Sequence, residues 1–213
     1  EQCKVITSNK GTVLDIIKKT CQEKNVELYT TDTTASFTNL RGTFQKQNVA
    51  LAEQAAKLLE IKQEHILSGL QQVKWPGRMQ YITYENQSFL VDCAHNPAAF
   101  TTLWDELTKN QKKKIIILSM CKEKDIEQCL TTLKDEKHTF ILTKADIERA
   151  TDPEQLRKYL PRALLADNLE DAVDKALQIN RTNEQLIVIT GSIFLVGEFL
   201  ALTQKVKCYP IGY

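Results

Sequence analysis

Two runs of apolar residues, Ile115-Ile116-Ile117-Leu118 and Leu186-Ile187-Val188-Ile189, constrain this chain more than any other feature. Each is short enough to be a strand and has no polar residue in alternation, so each must be covered on both faces. Strands covered on both faces belong to parallel sheets with helices on either side. The intervening segments supply those helices: apolar residues recur at helical spacing over 98–108, 126–135, 169–179 and 193–206, with a shorter helix near 153–159. Further strands are expected at 139–143 and 163–166. A hairpin of strands 79–84 and 88–92 around Glu85-Asn86-Gln87 precedes them. The fold class is therefore α/β, a Rossmann-like and mostly parallel sheet flanked by helices, with an N-terminal β-hairpin.

The first third reads differently. A strand at 3–7, a helix at 12–24 closed by Asn25, and a strand at 26–29 make one β-α-β unit. One such unit cannot close a core alone, so its neighbours are expected upstream. The chain opens on Glu1 rather than Met and is read as a fragment. A polar stretch at 30–39 leads to helices at 45–59 and 63–70. Trp75-Pro76-Gly77 then breaks the pattern, because Pro disfavours helix before it and Gly follows. Two domains are expected, 1–74 and 75–213.

Composition removes several functions. Lys and Arg number 28 against 27 Asp and Glu, a net charge of +1, which leaves no field to hold nucleic acid or an anionic membrane. No run of 18 apolar residues exists to span a bilayer. The six cysteines form no C-x-x-C pair and the three histidines are scattered, which argues against zinc. Free cysteines among apolar residues suit a reducing, cytoplasmic compartment.

In a parallel sheet all strand C-termini face one crevice, where ligands bind. Four polar segments collect there. They are Asp92-Cys93-Ala94-His95-Asn96-Pro97, Ser119 to Asp125, Thr143-Lys144-Ala145 with Arg149 beyond, and Thr190-Gly191-Ser192. Taken singly, the first is most simply a helix cap, Lys122 and Lys124 are solvated, and Asp125 is a cap. Together they describe a crevice with carboxylates, cations, an imidazole and a hydroxyl, suited to a nucleotide and a small acid. Arg78 follows a Pro-Gly turn at the domain junction, where a guanidinium can meet a phosphate.

Trp75-Pro76-Gly77-Arg78, Asp92-Cys93-Ala94-His95-Asn96-Pro97, Lys124-Asp125 and Thr190-Gly191-Ser192, in that order and spacing, resemble the C-terminal half of folylpolyglutamate synthase and dihydrofolate synthase, relatives of the Mur ligases. Leu40 to Asn48 resembles the segment closing that family's central domain. The resemblance implies a Mur ligase C-terminal domain preceded by the tail of an α/β central domain. It implies ATP-dependent addition of L-glutamate to a folate through an acyl phosphate, with dihydrofolate synthase activity, which takes dihydropteroate, left open. ATP and Mg2+ are the implied cofactors, with the metal ligands upstream. The implied partners are tetrahydrofolate or dihydropteroate and L-glutamate, acted on by a monomer. Asn48, with Gln45 nearby, would contact adenine, Arg78 the phosphates and Asp92 the ribose hydroxyls. His95 would serve catalysis, and Ser192 would lie near the glutamate. Phe44 replaces the family's usual His, and Cys93 stands where Gly is common. The phosphate-binding loop G-x-x-G-K-[ST] does not occur in these residues, so this chain alone is expected not to turn over. Two alternatives stand: another Mur-type amino-acid ligase, or a stand-alone nucleotide-binding module without activity.

Overall fold

In the computed structural model, which describes residues 3–32, 36–133 and 137–206, the chain divides between Trp75 and Pro76. That is one residue beyond the expected 74/75 boundary. In the first unit, β1 (Lys4–Thr7) and β2 (Glu27–Thr30) pair in parallel across α1 (Gly11–Glu23). Asn25, at φ 51°, ends α1 as its residue type suggests, and the Val26 amide returns to the Cys21 carbonyl at 2.8 Å. Helices α2 (Gln45–Leu58) and α3 (Gln63–Gln72) follow and pack together.

The second unit holds a six-stranded sheet. Its strands are β3 (Gln80–Tyr84), β4 (Gln87–Val91), β5 (Lys114–Leu118), β6 (Thr139–Leu142), β7 (Leu164–Leu165) and β8 (Leu186–Thr190), in the spatial order β3-β4-β8-β5-β6-β7. Only β3 is antiparallel. Between the strands run α4 (Pro97–Thr108), α5 (Ile126–Thr131), α6 (Pro153–Arg157) and α7 (Leu169–Ile179), and α8 (Ile193–Gln204) comes last. The crossovers through α4, α5 and α6 all step one way along the sheet, and the crossover through α7 steps back. Right-handed connection therefore puts α4–α6 on one face and α7 on the other, where α8 joins it.

The core follows from strand alternation. Phe89 and Val91, Ile115 and Ile117, and Ile187 and Ile189 face Leu169, Val173, Ala176, Leu195 and Phe199. Leu90, Ile116, Leu118 and Val188 alternate to the other face, and all are buried. The expectation of two-sided burial holds for every residue of β5 and β8.

Two local expectations are corrected. The hairpin turn is not the three residues Glu85-Asn86-Gln87, because Gln87 already pairs with Tyr84. Glu85 (φ 47°) and Asn86 (φ 58°) alone make it, as in a type I′ turn, whose twist matches that of the strands. Combining Glu85→Asn with Asn86→Gly is expected to raise stability by about 1 kcal/mol, seen as a higher urea midpoint at unchanged slope. The helix expected to 135 stops at Thr131. There, the hydroxyls of Thr131 and Thr132 bond back to the Glu127 and Cys129 carbonyls, a local alternative to continuing the ladder. Residues 134 and 135 of that expectation lie outside the described residues.

Candidate functional site

The polar segments meet at the C-terminal edge of β4, β8 and β5. The chain leaves β4 and β5 toward one face and β8 toward the other, so a topological switch point lies beside β8. The ends are tied together: the Asp92 amide donates to the Ile189 carbonyl at 3.1 Å, and the Ser119 amide to that of Thr190 at 3.4 Å.

Asp92 is the anchor. It is only 5% exposed. Its Oδ1 accepts from the Ala94 amide at 2.9 Å, and Oδ2 accepts from the Met79 amide at 3.0 Å. The Cys93 amide donates to the Gly77 carbonyl at 2.9 Å, and the Gly77 amide donates to Gln80 Oε1 at 2.9 Å. The turn Gly77-Arg78-Met79 is thus pinned to the turn after β4. Gly77 is required there: at φ 74° a Cβ would press within 2.7 Å of Cys93 Sγ. Met79 takes φ 44°, a conformation that burial and its bond to Asp92 maintain. Arg78 is exposed at the tip of this pinned turn.

Burial pushes the Asp92 carboxyl up, and the Met79 and Ala94 amides, Arg78 and His95 pull it only partly back. The folded state therefore holds the proton more tightly than the unfolded chain does. This carboxylate costs stability as pH rises from the ordinary carboxyl value through the raised one, and relieves it on acidification. Asp92→Asn removes that slope but faces an NH2 group toward one of two amide donors. A net loss of about 1–3 kcal/mol at neutral pH is expected, measured by urea unfolding across the acid range.

His95 is half-buried, and its Nδ1 lies 2.8 Å from the Cys93 carbonyl. A carbonyl only accepts, so the neutral ring carries its proton on Nδ1 and keeps Nε2 as an acceptor. Asn96 caps α4, its Oδ1 accepting from the Ala99 amide, so the cap reading of this turn stands beside its other roles. The Cys93 thiol is pushed up to about 11 by burial and by Asp92, so it stays protonated at neutral pH and is no nucleophile.

Ser192 caps α8. It is 2% exposed, its Oγ accepts from the Phe194 amide at 3.2 Å, and a side-chain hydrogen bond joins it to Cys121. Asp125 caps α5, as its position suggests, and Lys122 is exposed. Arg149, noted only as lying beyond β6, returns to the site. Its guanidinium stacks 4.9 Å over the Phe194 ring and sits 3.5 Å from Glu123. Cys121, Phe194 and Glu123 had no signal in the sequence beyond their place near strand ends.

In the first unit, Gln45 is buried and Asn48 exposed, one helical turn apart on α2, with Asn48 Nδ2 donating to Gln45 Oε1 at 2.9 Å. Among the described residues no group of three or more His, Cys, Asp or Glu side chains is placed to hold a metal, and no helix is long and apolar enough to cross a membrane. Cys3, Cys21, Cys93, Cys121 and Cys129 are free thiols, all but Cys3 buried. Cys208 lies outside the described residues.

A hairpin-led, doubly wound α/β sheet with its polar groups gathered at a switch point is a domain of the Rossmann-like class, in which ligands generally bind at that edge. The chain belongs to the Mur ligase family: residues 77–193 match the Mur ligase, glutamate ligase domain. It is 27% identical over 174 residues to the dihydrofolate synthase/folylpolyglutamate synthase of Bacillus subtilis, covering 76% of this chain and 39% of that protein. It is 30% identical over 166 residues to the UDP-N-acetylmuramoyl-L-alanyl-D-glutamate–L-lysine ligase of Streptococcus sanguinis, covering 71% and 34%. Its fold matches Mycobacterium tuberculosis folylpolyglutamate synthase complexed with ADP at a TM-score of 0.84 and 20% identity, over 94% of this chain and 55% of that one. The chain thus spans from about a third to just over half of these relatives.

Proposed function

We propose that this chain is the C-terminal portion of an ATP-dependent ligase that joins L-glutamate to a folate. The observation that carries this reading is the pinned turn, which presents the exposed Arg78 beside the buried Asp92 and the half-buried His95. Amide formation needs the acid activated: its carboxylate takes the terminal phosphoryl group of ATP, ADP leaves, the amine attacks the acyl carbon, and inorganic phosphate departs. A guanidinium carried on a pinned turn at the strand ends can supply charge to the phosphoryl oxygens. Each Asp92 oxygen keeps one lone pair beyond its amide bond, the acceptor that ribose hydroxyls require. His95 Nε2 suits the acceptance of a proton from the attacking amine.

Ser192 and Arg149 border the end of the crevice that this reading gives to L-glutamate, and Asn48 with Gln45 are assigned to adenine. The Mg2+ that accompanies ATP in this reading would meet no cluster of three or more His, Cys, Asp or Glu side chains among the described residues. A second reading, a Mur-type ligase adding another amino acid, rests on the likeness to the Streptococcus enzyme.

The test is ADP release by the full-length protein. It is expected only when L-glutamate and either tetrahydrofolate or dihydropteroate are both present. Release with a muramyl peptide and none with either folate acceptor would transfer the assignment to the second reading. The chain by itself is expected to bind ATP more weakly than micromolar, as calorimetry would measure.

A further inference from the structure

The loop joining β6 to α6 is held on three sides. At its start the Ala145 amide donates to Ser119 Oγ at 3.1 Å, and the Asp146 amide donates to Glu198 Oε1 at 2.7 Å. In its middle Lys122 holds it twice, its Nζ donating to the Glu148 carbonyl at 3.0 Å and its amide to that of Arg149 at 2.9 Å. At its end Ala150 pairs with Cys121, and the Thr151 amide donates to the Met120 carbonyl. The Arg149 side chain leaves this frame to lie over Phe194 and against Glu123.

Phe194 and Glu198 are four residues apart on α8, and so share one face of it. Glu198 is the only charged residue in the twelve of α8, IFLVGEFLALTQ. It is half-buried, and burial with the nearby Asp146 carboxylate pushes its carboxyl up. A carboxylate kept in an apolar helix is a cost that a leucine would avoid. What it gains is one charge-assisted bond to the loop, made one turn along from the ring on which the loop's arginine rests.

We propose that Glu198 is a positioning residue: by holding the Asp146 amide it fixes the loop so that Arg149 lies over Phe194, beside Cys121 and Ser192, where a carboxylate of the amino-acid substrate meets it. Glu198 itself touches no ligand. The ligand part of this assignment rests on the glutamate-adding function proposed above; the placement of Arg149 does not.

The experiment uses two readouts. In the chain, nitrogen-edited NMR follows the Arg149 Nε–H and side-chain resonances, which the Phe194 ring current displaces. Glu198→Gln keeps an acceptor for the Asp146 amide and is expected to retain that displacement. Glu198→Leu keeps the volume in an apolar helix, removes the acceptor, and is expected to abolish it. In the full-length enzyme, Glu198→Leu and Arg149→Ala are both expected to raise KM for L-glutamate about tenfold while kcat stays within about twofold. Glu198→Gln is expected to stay near wild type. Undisplaced behaviour of Arg149 in the wild type, or an unchanged displacement in Glu198→Leu, overturns the positioning role. Loss of the displacement with KM for L-glutamate unchanged in both Glu198→Leu and Arg149→Ala leaves the positioning in place and overturns the glutamate reading.

Discussion

Replacing Gly191 by alanine is expected to destabilise the second unit by about 3 kcal/mol or more, a large part of the stability of a domain of this size. Gly191 adopts φ 93° just past β8. A Cβ there would run into the backbone carbonyl of Ser119 and come within 2.7 Å of Leu118 Cδ1. Neither neighbour yields easily. Leu118 is fully buried in β5, and the Ser119 amide bonds to Thr190. The turn must rise off the sheet, taking the Ser192 cap and the start of α8 with it. Gly197, in the middle of α8, has nothing within 4 Å of an added Cβ. Gly197→Ala is expected to stabilise by about 0.5–1 kcal/mol, because alanine loses less backbone freedom in a helix. Urea unfolding of the two variants checks the pair, and a Gly191→Ala midpoint close to wild type would show that the turn relaxes freely.

Under the proposed function, Arg78→Ala in the full-length enzyme is expected to lower turnover about a hundredfold or more, with little change in stability. The side chain is exposed, while the turn that carries it is held through backbone groups of Gly77 and Met79 that the substitution leaves in place. Arg78→Lys is expected to fall between, since an ammonium keeps the charge but loses the planar fork. Steady-state ADP release measures both. Wild-type kinetics in Arg78→Ala would remove this residue from the phosphate site.

The placement of these residues was legible in part. Apolar runs buried on both faces demanded a parallel sheet, and a parallel sheet puts every strand end on one edge. That reasoning put Asp92, His95 and Ser192 on one edge of the sheet, and a Pro-Gly break marked the boundary beside Arg78. Periodicity carries such information because burial is a repeating, local demand on side chains. It did not show that each Asp92 oxygen accepts one backbone amide, that Met79 takes a left-handed conformation, or that Ser192 caps α8 as a buried residue. Those depend on which strands become neighbours.

The sheet order β3-β4-β8-β5-β6-β7 decides this, and no local pattern encodes it. Inserting the last strand, β8, between β4 and β5 makes Ile189 the partner of the Asp92 amide and brings the end of β5 under Gly191. Likewise Arg149, Phe194 and Glu198 are far apart or unremarkable in the chain and meet only because α8 packs on the face that the β6–α6 loop crosses. The amino-acid pattern determined the class of fold and the edge on which chemistry gathers, because hydrophobic burial acts residue by residue. Which strand-end groups find partners was decided by tertiary structure, because the bonds that tie one turn to another need groups that only the completed sheet brings within hydrogen-bonding distance.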